Sequence, residues 1–349
     1  MVVTGAGGFV GRHVVAALTA AGLRVRAVTR RAAADAVQSP AGAGPRADAA
    51  TVAASVTAAG VTAAGVTVAA GVAVGSGVTT VAHPGFGSAA AAAWPALLAG
   101  ADAVVHTAGL AHSPLADRAA RRRLRTINVV GTLQLARAAA AAGVADFVFI
   151  SSIKALGERS SGTPLDETMR PQPQDCYGVA KRLAERRLEQ LAAAAPQLRV
   201  VSLRPPLIYG AGVRANFAAL ARLAALGLPL PLAALDNRRS LLYAGNLADA
   251  IVRVLERRDV PGGVYHLADA AAISTPALIR ALAAAQGRPA RQFPVPPAWL
   301  AGAARLAGRE AQWTRLAGTL EVSSRKFCEA FGWAPRHALA DGLTQTYRH

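Results

Sequence analysis

The chain has 349 residues, which is long enough to bury one large core or two smaller ones. Its formal charge is +18, yet only three of its 38 basic residues are lysines, and the arginines are scattered among abundant alanine. We attribute the excess of positive charge to compositional bias. Because no helix-turn-helix, zinc-finger or aromatic RNA-binding motif accompanies it, we expect no nucleic-acid partner.

Two cysteines, Cys176 and Cys328, are too few for a disulfide framework, and the histidines do not cluster at metal-ligand spacing. We therefore expect a cytoplasmic protein without a metal site. The chain begins inside its first predicted strand, so we expect no signal peptide.

Apolar runs alternate with amphipathic stretches over the first two hundred residues. In chain order, the predicted strands are 2–4, 23–29, 103–106, 146–151 and 198–203, and the predicted helices are 9–22, 118–142 and 176–194. Strands alternating with helices predict an α/β fold, a doubly wound parallel sheet of Rossmann type over residues 1–204. The looser, proline-bearing remainder predicts a smaller α/β substrate-binding domain over 205–349, with some segments returning to the sheet.

One segment departs from this alternation. Residues 49–101 contain no charged residue, and the run Val56-Thr-Ala-Ala-Gly60 repeats at Val61–Gly65. We interpret about 32–80 as a low-complexity insertion, because alanine, glycine and threonine are too weakly apolar for a bilayer. We therefore expect no membrane span.

The first strand runs into Thr4-Gly-Ala-Gly-Gly-Phe-Val-Gly11. In such a turn Gly5 allows the tight bend, Gly8 lets the backbone approach a pyrophosphate, and Gly11 lets the helix pack on the sheet. Phe9 and Val10 open that helix, whose N-terminus favours a phosphate. The pattern predicts a dinucleotide site.

Arg30 and Arg31 follow the second strand, where an acidic residue would favour NAD. An arginine there pairs with a 2′-phosphate and favours NADP over NAD. Since arginine is abundant in this chain, both cofactors stay open.

Tyr177-Gly-Val-Ala-Lys181 places a tyrosine and a lysine on one helix face. An ammonium beside a phenol stabilises the phenolate and brings it within reach of proton transfer. Upstream, a strand ends at Ser151-Ser152, where a hydroxyl can hydrogen-bond a reacting oxygen. Ser152, Tyr177 and Lys181 are therefore the candidate catalytic residues.

With these motifs the chain resembles the extended short-chain dehydrogenases/reductases, in the NAD-dependent epimerase/dehydratase group that acts on nucleotide sugars. The matching segments are 4–11, His106-Thr-Ala-Gly109, Asn128-Val-Val-Gly-Thr132, Ser152 with Tyr177 and Lys181, Arg204-Pro-Pro206, Tyr209-Gly210, 239–249 and 324–333.

The resemblance implies a role for each group of residues. The cofactor-binding residues would be Gly5, Gly8, Phe9, Val10, Gly11, Arg30, His106, Ala108, Gly109, Asn128, Tyr177 and Lys181. Ser152, Asn216 and Arg239 would bind the UDP-sugar substrate, the latter two at its diphosphate. The resemblance also implies a homodimer through helices 118–142 and 177–194.

The residues after Ser152 select among reactions of this group. Dehydratases carry two acidic residues where this chain has Ile153 and Lys154, which disfavours dehydration. Ser-Ser-Ile-Lys followed by Gly157-Glu158 resembles a UDP-glucose 4-epimerase-like subgroup, which implies epimerisation at C4 of a UDP-hexose or UDP-N-acetylhexosamine through a transient 4-keto sugar. Two alternatives are an NAD(P)H-dependent 4-keto reductase and a non-catalytic dinucleotide-binding protein.

Overall fold

The computed structural model describes residues 1–29, 61–63, 66–68, 72–73, 77–83, 85–86, 91–111 and 117–347. Within these ranges, no helix has the length and apolar character needed to cross a membrane.

A central sheet organises the protein. The strands of the described residues are β1 (Val2–Thr4), β2 (Val25–Thr29), β3 (Val61–Ala63), β4 (Val66–Val68), β5 (Val72–Ala73), β6 (Val78–Ala82), β7 (Ala103–His106), β8 (Asp146–Ile150), β9 (Arg199–Arg204), β10 (Leu207–Tyr209), β11 (Leu241–Tyr243) and β12 (Gly263–His266). The sheet order is β12-β9-β8-β7-β1-β2-β6-β5. Seven of these strands run parallel and β5 pairs antiparallel to β6, so the predicted doubly wound α/β fold is confirmed.

Helices cover both faces of the sheet and build the C-terminal part. They are α1 (Phe9–Ala20), α2 (Trp94–Leu98), α3 (Arg118–Arg125), α4 (Thr132–Ala141), α5 (Cys176–Ala194), α6 (Ala215–Ala225), α7 (Ala244–Glu256), α8 (Thr275–Ala285), α9 (Pro297–Leu306), α10 (Glu310–Ala317), α11 (Arg325–Phe331) and α12 (Leu339–Tyr347). A π-helical turn, Thr126–Gly131, joins α3 to α4, so the helix predicted over 118–142 is continuous but irregular.

Apolar sequence explains the burial of the sheet. All five residues of β8 and all four of β7 are buried, as expected for central parallel strands covered on both faces. Helix α1 buries Gly11, Val14 and Leu18, which share one face at helical spacing.

Part of the low-complexity segment belongs to the sheet. Strand β6 begins at Val78, which pairs with Val25 of β2, so the last three residues of the predicted 32–80 insertion belong to the parallel sheet. The two β-branched threonines and two valines of Val78-Thr-Thr-Val-Ala82 favour this strand. Most of the remaining insertion lies outside the described residues.

The C-terminal part contributes to two cores. Strands β10 and β11 pair with each other, and Tyr209, Phe217 and Leu278 belong to a separate hydrophobic cluster beneath them. Strand β12 instead pairs with β9, and α7 packs against α1. The division into domains at residue 204 stays a prediction.

The topology fixes where a ligand can lie. Strand β1 is flanked by β2 on one side and β7 on the other, so the chain reverses its winding direction there. In open parallel sheets, ligands bind at the carboxyl ends of the strands at such a switch point. The glycine turn and residues 107–109 follow β1 and β7 at this point.

Candidate active site

The glycine turn after β1 is packed too tightly for side chains. Gly5 has a φ of 72°, and a Cβ there would come within 2.7 Å of the Ala108 nitrogen. The Gly8 N–H donates to the Gly5 carbonyl oxygen at 2.8 Å, and a Cβ on Gly11 would overlap that same carbonyl. Gly8 precedes α1 without a side-chain cap, which leaves the amides at Phe9 and Val10 directed toward the switch point. The geometry suits an anionic ligand there.

His106 is a buried structural link beneath this turn. Its Nδ1 lies 2.7 Å from the Thr4 hydroxyl and its Nε2 lies 2.9 Å from the Thr132 hydroxyl. Burial, together with the charge of Lys181, lowers the pKa of His106 to about 3, so the ring is neutral at physiological pH. His106 therefore ties β1, β7 and α4 together under the candidate cofactor site.

Asn128 connects the π-helical turn to the loop after β7. Its Oδ1 accepts from the Leu110 N–H at 2.8 Å, and its Nδ2 donates to the Leu110 carbonyl at 3.0 Å. A Cβ on Gly109 would lie 3.3 Å from Asn128 Oδ1 and 3.6 Å from Lys181 Nζ. The loop residues Ala108 and Gly109 are thereby held beside both the glycine turn and Lys181.

Ser152, Tyr177 and Lys181 come together at the ends of β8 and α5. The Ser152 hydroxyl hydrogen-bonds the Tyr177 phenol, and Lys181 Nζ lies 5.8 Å from the centre of the Tyr177 ring. Asp175 caps α5 by accepting from the Gly178 N–H at 2.7 Å, which sets where the helix starts. Gly178 lets the helix approach, because a Cβ there would overlap the Lys154 carbonyl oxygen.

The electrostatics of this trio are set mainly by burial. Desolvation and, to a smaller extent, the negative charge of Asp175 raise the pKa of Tyr177 to about 12, against the Ser152 hydrogen bond, which lowers it. Desolvation also lowers the pKa of Lys181 to about 8, although the charge of Glu185 opposes this change. Lys181 stays largely protonated at neutral pH, held by the Ile150 carbonyl at 2.8 Å and lying 4.5 Å from the centre of the Phe149 ring.

A buried ionic network supports the trio, and sequence reasoning missed it. Glu185, one turn after Lys181, accepts from Arg204 Nε at 2.8 Å, from Arg204 Nη2 at 2.7 Å and from the Ser151 hydroxyl at 2.6 Å. Arg204 also approaches His266 Nε2 at 3.4 Å. The spacing of Lys181 and Glu185 on one helix face was the available signal.

Lys154 links the turn after β8 to the start of α5 through ion pairs. Its Nζ lies 2.7 Å from Asp175 and 3.0 Å from Glu158. Desolvation opposes its charge, but the hydrogen bonds to both carboxylates outweigh that effect and raise the pKa of Lys154. The lysine that stands where dehydratases carry an acid is thus a fixed cation.

The predicted substrate residues occupy separate places. Arg239 lies two residues before β11, where its Nη1 donates to the Gly318 carbonyl at 2.8 Å, and burial lowers its pKa. Its backbone pairs with Leu320, which packs in the same cluster as Ile153 and so brings Arg239 toward the Ser152 loop. Asn216 is exposed near the start of α6. Arg30, predicted to select the cofactor, lies outside the described residues.

The chain resembles known proteins in sequence and in fold. The sequence model of the NAD dependent epimerase/dehydratase family matches residues 1–268. A UDP-glucose 4-epimerase of Vibrio cholerae is 38% identical over 247 residues, 70% of this chain and 75% of that protein. A GDP-6-deoxy-D-mannose reductase of Pseudomonas aeruginosa is 33% identical over 184 residues, 50% of this chain and 59% of that protein. The crystal structure of Thermus thermophilus UDP-glucose 4-epimerase with NAD superposes with a TM-score of 0.68 at 21% identity, covering 99% of this chain and 96% of the other.

Proposed function

Because this chain belongs to the NAD dependent epimerase/dehydratase family, we propose that it epimerises a UDP-hexose or UDP-N-acetylhexosamine at C4. The observation that carries the proposal is the convergence of Ser152, Tyr177 and Lys181 at the end of β8, with Lys181 next to Gly109 beside the switch point. The 38% identity to a UDP-glucose 4-epimerase supports the choice of reaction.

The residues at the switch point fit a nicotinamide dinucleotide. The uncapped start of α1 at Gly8 and the side-chain-free surface of Gly5 would hold the pyrophosphate. Gly109 and Lys181 lie side by side where the nicotinamide ribose would sit. When bound, the nicotinamide supplies a reversible acceptor for the C4 hydride. We leave NAD and NADP both open.

Tyr177 would take the proton from the C4 hydroxyl of the sugar. A phenol with a pKa of about 12 yields little phenolate at neutral pH, so the groups that stabilise its anion decide the rate. On this chain those groups are the Ser152 hydroxyl, which hydrogen-bonds the phenol, and the Lys181 ammonium. Glu185 supports the positive charge of Lys181 from one turn away.

Ser152 would also orient the oxygen at C4, since the side chain lies at the end of β8 beside the phenol. Epimerisation requires the 4-keto sugar to rotate in the site before it is reduced on its other face. Arg239 and Asn216 would hold the diphosphate during that rotation. The anchoring of Arg239 to Gly318 favours a fixed cation for this purpose.

The family resemblance extends the proposal to a homodimer. Val130 and Val179 are 44% and 50% exposed, on the π-helical turn and on α5. Both lie within the helices expected to form the interface, so pairing would cover them. We propose this assembly for the enzyme in solution.

A 4-keto reductase is the second candidate. Its support is the 33% identity to a GDP-6-deoxy-D-mannose reductase, and the same serine, tyrosine and lysine would perform only the reductive half of the reaction. A non-catalytic dinucleotide-binding protein is disfavoured, because a buried Lys181 costs stability and simple binding does not need it.

The test begins with freshly purified protein. It is denatured, the released nucleotide is identified by mass and absorbance, and a second sample is incubated with UDP-glucose. Near-stoichiometric NAD together with UDP-galactose as product supports the epimerase. An empty protein that consumes NADPH only with a 4-keto sugar nucleotide supports the reductase, and a protein that binds neither nucleotide contradicts both.

A further inference from the structure

Helix α9 exposes an apolar face that nothing in the described chain covers. Trp299 is 73% exposed and Leu306 is 93% exposed. With Gly302 and Ala303 they recur at helical spacing, so they form one face of α9. We call these four residues the α9 outer face.

The opposite side of α9 is anchored, so the exposure is not that of a frayed helix. Leu300 packs against the C-terminal hydrophobic cluster, and so do Trp313 and Leu316 of the neighbouring α10. The Arg309 N–H also donates to the Ala304 carbonyl at 2.7 Å, which closes the end of α9. The α9 outer face is therefore exposed to solvent on a helix that packs against the protein by its other side.

A second exposed apolar group lies just before α9. The Phe293 N–H donates to the Leu230 carbonyl, and the Leu230 N–H donates to the Arg291 carbonyl, each at 3.0 Å. This pairing places Phe293 beside the segment that carries Leu228. The two side chains are 45% and 54% exposed, respectively.

The sequence around these residues is rich in arginine and poor in acidic residues, since Asp236, Asp269 and Glu310 lie just outside the segments concerned. From Ala270 to Arg309 the sequence contains no aspartate or glutamate. The arginines in that range are Arg280, Arg288, Arg291, Arg305 and Arg309. The segment 211–235, which carries Leu228, likewise contains arginines and no acidic residue.

This charge distribution discriminates among occupants. A second copy of the chain related by a two-fold axis would bring the same arginines face to face, which is unfavourable. An anionic bilayer satisfies both features, since tryptophan and leucine enter the interfacial region while flanking arginines meet lipid phosphates.

We propose that α9 docks the protein on an anionic membrane surface, with Trp299 and Leu306 inserted and Arg305 and Arg309 on the headgroups. The docking is peripheral. Helix α10, which follows α9 along the chain, ends at Ala317, next to the Gly318 carbonyl that holds Arg239.

The test measures sedimentation of the full-length protein with phosphatidylcholine vesicles, with and without phosphatidylglycerol. We expect binding that requires phosphatidylglycerol and weakens with salt. Trp299→Ala/Leu306→Ala should lower the partition coefficient by about tenfold or more. Arg305→Glu/Arg309→Glu should lower it similarly, while Arg325→Glu, at another exposed arginine, should not. Circular dichroism confirms that each variant is folded.

Tryptophan fluorescence provides the second readout. Trp94 and Trp333 are buried, and Trp313 packs partly buried against the C-terminal hydrophobic cluster. Trp299 is the most exposed of the four tryptophans, so a blue shift on binding should come chiefly from it and should be largely lost in Trp299→Phe. Absence of sedimentation would overturn the proposal, and so would equal losses in Arg325→Glu and Arg305→Glu/Arg309→Glu. Self-association abolished by Trp299→Ala/Leu306→Ala, without vesicle binding, would assign the face to contact between copies instead.

Discussion

Replacing Lys181 with methionine should remove activity yet stabilise the cofactor-free protein. Lys181 is 4% exposed, and burial lowers its pKa from 10.5 to about 8. Each pKa unit corresponds to about 1.4 kcal/mol, so charging this lysine in the folded state costs on the order of 3 kcal/mol at pH 7. Methionine has a similar length and carries no charge, and its main penalty is the lost hydrogen bond to the Ile150 carbonyl.

The pH dependence of the free energy of unfolding separates the effect of the Lys181 charge from that of the lost hydrogen bond. Between pH 8 and 10.5 the unfolded chain binds a proton at Lys181 that the folded protein does not, so wild-type stability rises with pH in this window. Lys181→Met lacks this contribution. The variant's advantage should therefore shrink by about 2 kcal/mol between about pH 7 and about pH 9.5.

Urea unfolding at a series of pH values, with the nucleotide removed, measures this difference. Lys326→Met is the matched control, because it removes the same charge from an exposed position. A stability difference between wild type and Lys181→Met that stays constant across the pH range would refute the reasoning.

Three further predictions concern the support of the site. Glu185→Gln should lower the free energy of unfolding by about 3 kcal/mol, because Arg204 would keep a buried charge without its carboxylate; an unchanged urea midpoint would argue against the network. Gly178→Ala should cost about 1–3 kcal/mol and reduce turnover, because its Cβ would overlap the Lys154 carbonyl; a fully active, equally stable variant would contradict the close approach. The pKa of His106 is about 3 in the folded state and 6.5 in the unfolded chain, so the unfolded chain takes up a proton first as the pH falls. The free energy of unfolding should therefore decrease between pH 6.5 and about 3. An NMR titration in which His106 of the folded protein is protonated near pH 6 would contradict its burial.

Local signals explain why the helix that carries Tyr177 and Lys181 could be predicted. Helix α5 spans Cys176–Ala194, in agreement with the predicted 176–194, because Asp175 caps it and its apolar residues keep helical spacing. The tyrosine and lysine on that helix then meet by geometry alone. The turn at Gly5 was equally readable, since a positive φ requires glycine there.

Contacts between distant segments could not be predicted in the same way. Glu185 and Arg204 are 19 residues apart, and their pairing depends on β9 lying beside α5. The π-helical turn at Thr126–Gly131 also has no local sequence signature. Strand β6 was missed because uniform alanine-rich composition concealed where the insertion gives way to the sheet.

In the proposed function, Tyr177 transfers the proton at C4 of a nucleotide sugar. The most direct measurement is interconversion of UDP-glucose and UDP-galactose by Tyr177→Phe, with bound nucleotide quantified in the same preparation. Tyr265→Phe serves as the control, since it removes a hydroxyl that only donates to the Pro261 carbonyl. We expect Tyr177→Phe to lose about a thousandfold in activity with nucleotide content unchanged. Activity within about tenfold of the wild type would contradict it.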